Sequence, residues 1–368
     1  MRVLLCCIEA EMTRVALDGF GSDGRPGPEL LAAQRAKAAG VGVELVGDRA
    51  TLERAAHEQG LDPSGLEIIQ ASEQIAMDES PARAVRSKPD ASLCVAMKRV
   101  AQGLARGVVS AGNTGAILAA ALVHLGRLQG VERPAIATRF PRADAYGEHT
   151  VMLDAGANVE CKVQHLLQFA VMGAAFARVS ASVPRPRVGL LSNGSERSKG
   201  TVLTRKTHEI LARHAEFAPA GALEFVGYVE PAQLFSSVCD VVVTDGWTGN
   251  IALKLAEGAM SAWPRLLVAA DAAESNAAEG VQKNERSAVS IAPALKSLAR
   301  VVDPEFQGGA PLLGVDGVVM ICHGACGPGA LKVALSTVQR FAQAGSTQAI
   351  GEAIADHHEL FEFERTTR

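Results

Sequence analysis

The sequence predicts an α/β fold: a mainly parallel sheet covered by helices on both faces, in three layers α/β/α. Three observations carry this. Short apolar or β-branched runs alternate with amphipathic stretches almost throughout the 368 residues, the pattern of strand–helix units. Runs such as "DVVVTD" (240–245) and "RVGLLS" (187–192) are near-continuously apolar, as strands buried on both sides must be. Polar, glycine-rich turns recur where such runs end.

Taken in order, "VALD" (15–18) is the first strand, followed by a glycine-rich turn and an amphipathic helix at 27–39. "VELVG" (43–47), "LEIIQ" (66–70) and "VVSA" (108–111) are further strands, with helical patterns at 91–105 and 114–127. "PAIATRF" (134–140), "TVMLDA" (150–155) and "RVGLLS" follow, the last two separated by a helix at 162–179. A helix at 200–214 leads to "LEFVGYV" (223–229) and "DVVVTD", and a helix at 249–270 comes next. "VVMIC" (318–322) and a helix at 325–343 complete the pattern. One α/β domain over 1–345 is expected, with a C-terminal helix or tail at 346–368. The Ala-rich segment 264–303 breaks the rhythm and is expected as a helical insertion facing a second subunit or a membrane.

Composition excludes several classes. Hydrophobic residues make up 48% of the chain, ample for a large core. A net charge of −4, with no strongly basic stretch, argues against a nucleic-acid partner. The seven cysteines form no CxxC pair and no metal-ligand spacing, so they read as reduced, buried thiols of a cytoplasmic protein, and no metal is expected. "MRVLLCCIEAEM" is too short and acidic for a signal peptide, and no run reaches membrane-spanning length.

The turns carry the chemistry. They read "DGFGSDGRPGPE" (18–29), "SAGNTGA" (110–116), "DAGANVECK" (154–162), "SNGSERSKGT" (192–201), "TDGWTGN" (244–250) and "CHGACGPGA" (322–330). Each lets backbone N–H groups approach an anion, and several open a helix whose N-terminus favours negative charge. Such loops at strand ends fit a small anionic ligand such as phosphate. "GFGSDG" matches the G-x-G-x-x-G of dinucleotide sites, but Arg25 and Pro26 delay the helix and Asp23 would face the pyrophosphate. "SNGSERSKGT" departs from the P-loop pattern, because Lys199 precedes Gly200. No nucleophile elbow or Ser-His-Asp triad is recognisable.

At "SAGNTGA", "LDAGANVECKVQHLLQFAVMG", "TDGWTGNIALK" and "GGAPLLGVDGVVMICHGA", the chain closely resembles the PlsX family of bacterial phosphate acyltransferases, over residues 14 to 343. The resemblance implies a fold related to isocitrate and isopropylmalate dehydrogenases. It implies a reaction of acyl-ACP with inorganic phosphate, giving acyl-phosphate and free acyl carrier protein for phospholipid synthesis. It further implies a homodimer at the cytoplasmic membrane face that needs no cofactor. Phosphate is then the nucleophile, and the protein must hold it, stabilise a tetrahedral oxyanion and manage a leaving thiolate.

Within the matched loops, Lys199 is the candidate cation for phosphate or oxyanion, with a solvated loop lysine as the alternative. Asn250 would donate to phosphate or the carbonyl, or cap a helix at 251–263. Asp245 would orient Lys199 or Lys254, or act as a base. His323 would protonate the thiolate, or hydrogen-bond within its turn. Asp18, Gly21, Asp23, Asn113, Thr114, Gly115, Asn158, Gly194, Glu196, Gly249, Lys254 and Gly324 are the candidate phosphate- or substrate-binding positions. Asn113 and Asn158 could equally be caps. Ser22 stands where the family's D-x-M-G-G-D loop has glycine; serine takes positive φ only at a cost, so a rebuilt loop is expected, with Arg25 an added anion contact. The competing readings are an acyl-CoA:phosphate transferase of phosphotransacetylase type and a carrier-binding scaffold without turnover.

Overall fold

The computed structural model describes residues 13–145, 147–217, 223–277 and 308–366. The strands are β1 (Arg14–Asp18), β2 (Gly42–Gly47), β3 (Glu67–Gln70), β4 (Gly107–Ser110), β5 (Ala135–Pro141), β6 (His149–Leu153), β7 (Arg187–Leu191), β8 (Glu224–Val229), β9 (Val241–Val243), β10 (Ala310–Leu313) and β11 (Val318–Ile321). The helices are α1 (Gly27–Ala38), α2 (Arg49–Glu58), α3 (Pro81–Ser87), α4 (Ser92–Ala101), α5 (Thr114–His124), α6 (Val163–Ser180), α7 (Val202–Phe217) and α8 (Gly246–Ala277). After them come α9 (Pro328–Gln343), α10 (Ser346–Asp356) and α11 (His358–Thr366).

The described strands form one sheet in the order β3-β2-β1-β4-β11-β10-β5-β6-β9-β7-β8. Alternate residues of each central strand enter different cores: Val15 and Leu17 pack on one face and Ala16 on the other. Val241 and Val243 divide from Val242 in the same way. Helices α1, α6 and α9 cover the first face, and α4 and α5 the second. This is the expected three-layer arrangement, and it explains why the strands read as continuous apolar runs.

All ten expected strands are present within a residue or two. β10 was not expected, because "APLL" is short and sits among glycines; it pairs antiparallel with both β11 and β5. β5 in turn pairs antiparallel with β6. The consequence is large. β3, β2, β1, β4 and β11 run one way, while β6, β9, β7 and β8 run the other. α2 and α3 also went unforeseen: α2 buries only Leu52 and Ala56, and α3 has only seven residues. The expected insertion at 264–303 is described only to Ala277, as the continuation of α8; the rest lies outside the described residues, as do Cys6 and Cys7.

Candidate functional site

The loops after β6, β9 and β7 lie side by side, because those strands are neighbours in the sheet. The residue after β6 is Asp154, which is fully buried. Its carboxylate accepts N–H bonds from Ile136 (3.0 Å), Gly156 (3.1 Å), Ala157 (3.0 Å) and Asn158 (2.7 Å), and a fifth from Asn158 Nδ2 (2.8 Å). Burial pushes this carboxyl up from its usual range, against those donors. Asn158 Nδ2 also donates to the Pro134 carbonyl at 2.7 Å, so its amide is committed internally.

α8 begins directly on this knot. Gly246 N–H donates to the Asn158 carbonyl at 2.8 Å. A side chain at Gly249 would collide with the Asp154 carbonyl oxygen, and one at Gly246 would approach the Asn158 oxygen to 2.6 Å. The glycines of "TDGWTGN" therefore serve a close approach of backbones. Asp245 caps α8, accepting from Thr248 N (2.8 Å) and Thr248 Oγ1 (2.9 Å).

Two expectations change here. The helix starts at Gly246, so Asn250 is no cap; it sits exposed on α8 with its carboxamide carbon 3.5 Å from the Cβ position of Gly156. Asp245 hydrogen-bonds Thr248 instead of orienting a lysine, and Lys254 Nζ donates to Glu257 at 2.8 Å.

The β7–α7 loop forms the third side. Lys199 Nζ lies 4.0 Å from Glu196 Oε1 with both side chains exposed, a pairing that contributes little in water. Gly200, at φ +83°, closes the loop and donates its N–H to Asn193 Oδ1 at 3.0 Å. The side of Gly194 faces the Lys199 stem and the Glu196 carboxylate.

The remaining candidates gather on the other half-sheet, at the ends of β1, β4 and β11. Asp18 is buried and accepts from Ser92 Oγ (2.6 Å) and Ser110 Oγ (2.7 Å); burial pushes its carboxyl up. Gly21 fits where a Cβ would come within 2.8 Å of the Ala111 nitrogen. Asn113 caps α5, accepting from Ala116 N at 3.1 Å and donating to the Met77 carbonyl at 2.8 Å, with Thr114 exposed beyond it. Gly115 faces Pro81. Asp23 N–H donates to the Gly324 carbonyl at 2.8 Å, joining the first loop to the last. His323 is exposed, and its Nδ1 accepts from Ala325 N at 3.1 Å, which leaves Nε2 to carry the proton of the neutral ring.

The first loop is not rebuilt around a positive φ. Among the described non-glycine residues, only Ser182 has one. Ser22 is fully buried instead, its N–H donating to Glu29 Oε1 at 2.8 Å. Arg25 NH1 points back to the Ser22 carbonyl at 3.2 Å.

Glu29 is a group that sequence reasoning missed. Burial pushes its carboxyl up to about 7, and hydrogen bonds from Ser22 offset that only in part. Between the ordinary carboxyl range and pH 7, the folded chain therefore holds a proton that the unfolded chain releases. Stability from this group is full below pH ~4.5, falls as pH rises, and levels off above the folded value, a change of roughly 3 kcal/mol. Glu29→Gln should flatten that slope in urea unfolding measured from pH 4.5 to 7.5. An unchanged slope would show that Glu29 ionises freely in the fold.

The six glycine-rich loops thus divide into two sets on oppositely directed half-sheets. Among the described residues, no hydrogen bond or ion pair joins the two sets. The β6/β7/β9 set carries an exposed lysine, an exposed carboxamide and two helix N-termini, which suits an oxyanion. The β1/β4/β11 set carries the exposed Asp23 carboxylate and an imidazole. Asp154 escaped notice because an aspartate ending an apolar strand looks like any loop residue. Among the described residues, no group of three or more His, Cys, Asp or Glu side chains gathers as metal ligands would.

Residues 13–349 match the model of a family described as "Fatty acid synthesis protein". The chain is 44% identical over 348 residues to a phosphate acyltransferase of Myxococcus xanthus, covering 93% of this chain and 95% of that one. It is 41% identical over 354 residues to a phosphate acyltransferase of Elusimicrobium minutum, covering 95% and 98%. Among solved structures it is similar to a phosphotransacetylase from Streptococcus pyogenes, with TM-score 0.60, 18% identity and coverage of 92% and 95%. At that identity the structural likeness speaks for the fold.

Proposed function

Because the chain belongs to the fatty acid synthesis protein family, the PlsX phosphate acyltransferases, we propose that it transfers the acyl group of an acyl carrier protein thioester to inorganic phosphate. It is an acyltransferase, and the finer assignments concern donor, site and assembly. The observation that carries the site is the β6/β7/β9 loop set, where the half-exposed Lys199 side chain and the exposed Asn250 stand around the N-termini of α7 and α8.

In this reading a phosphate oxygen attacks the thioester carbonyl carbon. A C–O bond forms, the carbonyl becomes a tetrahedral oxyanion, and the C–S bond breaks. The sulfur leaves as thiolate and takes up a proton, giving acyl-phosphate and free carrier thiol. Lys199 neutralises charge on phosphate as it approaches, and the Asn250 amide donates to the oxyanion. Asp154 and Asn158 shape the loop beneath, and Asp245 sets the start of α8. None of these three needs to touch substrate.

The protein, incubated with acyl-ACP and phosphate, should release carrier thiol at a rate that saturates with phosphate. Release independent of phosphate would defeat the proposal, and release from acyl-CoA alone would reassign the donor. For assembly, the exposed Trp247, Ile251 and Leu255 lie at successive turns on one face of α8, with Trp263, Leu266 and Leu267 beyond. That face supports a homodimer, with peripheral membrane contact as the second use. Among the described residues, no helix is long and apolar enough to cross a membrane. Light scattering showing a monomer at micromolar concentration would remove the dimer.

A further inference from the structure

The loop between β7 and α7 holds one more polar group, which neither the fold nor the proposed reaction has used so far. Ser192 follows β7, and its backbone N–H donates to the Val229 carbonyl at 2.9 Å, which fixes its place at the sheet's edge. The residue is only 7% exposed, and its Oγ has no hydrogen-bond partner among the described residues. A buried hydroxyl in that condition costs the fold free energy, so its retention calls for a compensating use.

Its direction is informative. Ser192 Oγ lies 3.5 Å from the position a Cβ on Gly200 would occupy, so it points at the base of α7. Thr201 and Thr204 flank the same place, but both are partnered: Thr204 N donates to Thr201 Oγ1 at 3.2 Å, and Thr204 Oγ1 to the Thr201 carbonyl at 3.1 Å. Arg205 NH1 donates to the Gly200 carbonyl at 2.6 Å and holds the turn shut. α7 is a helix of 16 residues, and with Thr201 as its cap the N–H groups of Val202 and Leu203 have no intrahelical acceptor. Lys199 stands on the rim, and the exposed Glu196 carboxylate, 4.0 Å from its ammonium, must turn to solvent when an anion enters.

We propose that Ser192 Oγ is a direct ligand of inorganic phosphate, donating to a phosphate oxygen held at the N-terminus of α7 beside Lys199. The proposal rests on the reaction assigned above and adds the group that distinguishes bound phosphate from a loosely attracted anion. The hydroxyl supplies a short donor from within the fold, whereas Lys199 supplies charge from the rim. Removing the hydroxyl should therefore relieve the resting protein and weaken only the phosphate-bound one.

The test uses the full chain and inorganic phosphate, with chloride at equal ionic strength as the control. Thermal unfolding and titration calorimetry compare wild type with Ser192→Ala. Without phosphate, the variant should melt at the same temperature as wild type or higher. The stabilisation that phosphate confers on wild type should largely vanish in the variant, with the phosphate Kd about tenfold weaker. In turnover, KM for phosphate should rise by a similar factor while KM for the acyl donor holds. Equal phosphate affinity in the two proteins overturns the proposal, as does a wild type that binds no phosphate. A wild type that binds phosphate through Ser192 yet releases no thiol would uphold this ligand and overturn the assigned reaction.

Discussion

Lys199→Ala should lower phosphate-dependent thiol release by a factor on the order of 10² to 10³ in kcat/KM, the usual loss when one charge-stabilising donor is removed from a reacting centre. The size follows from what the lysine must do. Phosphate arrives with one to two negative charges, and the attack places a further charge on the carbonyl oxygen, so a single ammonium opposes repulsion throughout. The fold should not notice the change. Lys199 is exposed and its recorded ionic partner is Glu196, itself exposed, so the melting temperature should stay within a degree or two. Lys199→Arg keeps the charge but spreads it over a planar fork, and should recover only part of the rate. Activity within threefold of wild type in Lys199→Ala, with folding intact, would move the phosphate site elsewhere, the β1/β4/β11 loops being the next place to look.

Asp154→Ala should cost stability on the order of 4 kcal/mol or more, among the larger effects of a single substitution. Four backbone N–H groups and the Asn158 amide all converge on this one carboxylate, and the residue is fully buried. Alanine strands these donors where water reaches them poorly. Asp154→Asn keeps the shape but turns an amide NH₂ toward groups that also donate, so it should lie between wild type and alanine. Because Gly246 and Gly249 seat α8 against the same loop, activity should fall together with stability, unlike in Lys199→Ala. Urea unfolding followed by circular dichroism gives the midpoint shift. A shift below about 1 kcal/mol would mean that the loop keeps its form without the carboxylate.

The candidate site was legible to different depths at different residues. Lys199 and Asn250 read as loop residues beside helix starts, and the structure leaves the Lys199 side chain half-exposed and Asn250 exposed there. Asn113 and Asn158 matched the same motifs, yet their side chains are spent on Ala116, Met77, Pro134 and Asp154. A motif records which residue type a loop holds, whereas hydrogen-bond partners separated by 24 or 36 positions depend on how the sheet is assembled. Ser22 shows the same limit: its substitution for glycine suggested backbone strain, but its burial against Glu29 could be read only from the fold.

What the sequence determined by itself was the layering and most of the elements, though not β10, α2 or α3. Short apolar and β-branched runs located ten of the eleven described strands, and the signal is sharpest where a strand is buried on both faces, as β4 and β9 are. The tertiary structure alone decided how the loops group. Three successive antiparallel pairings, β11 with the short β10, β10 with β5, and β5 with β6, reverse the sense of the sheet between β11 and β6 and so divide six similar loops into two sets. Strand direction is set by pairing between segments far apart in the chain, and local periodicity is identical for a strand running either way.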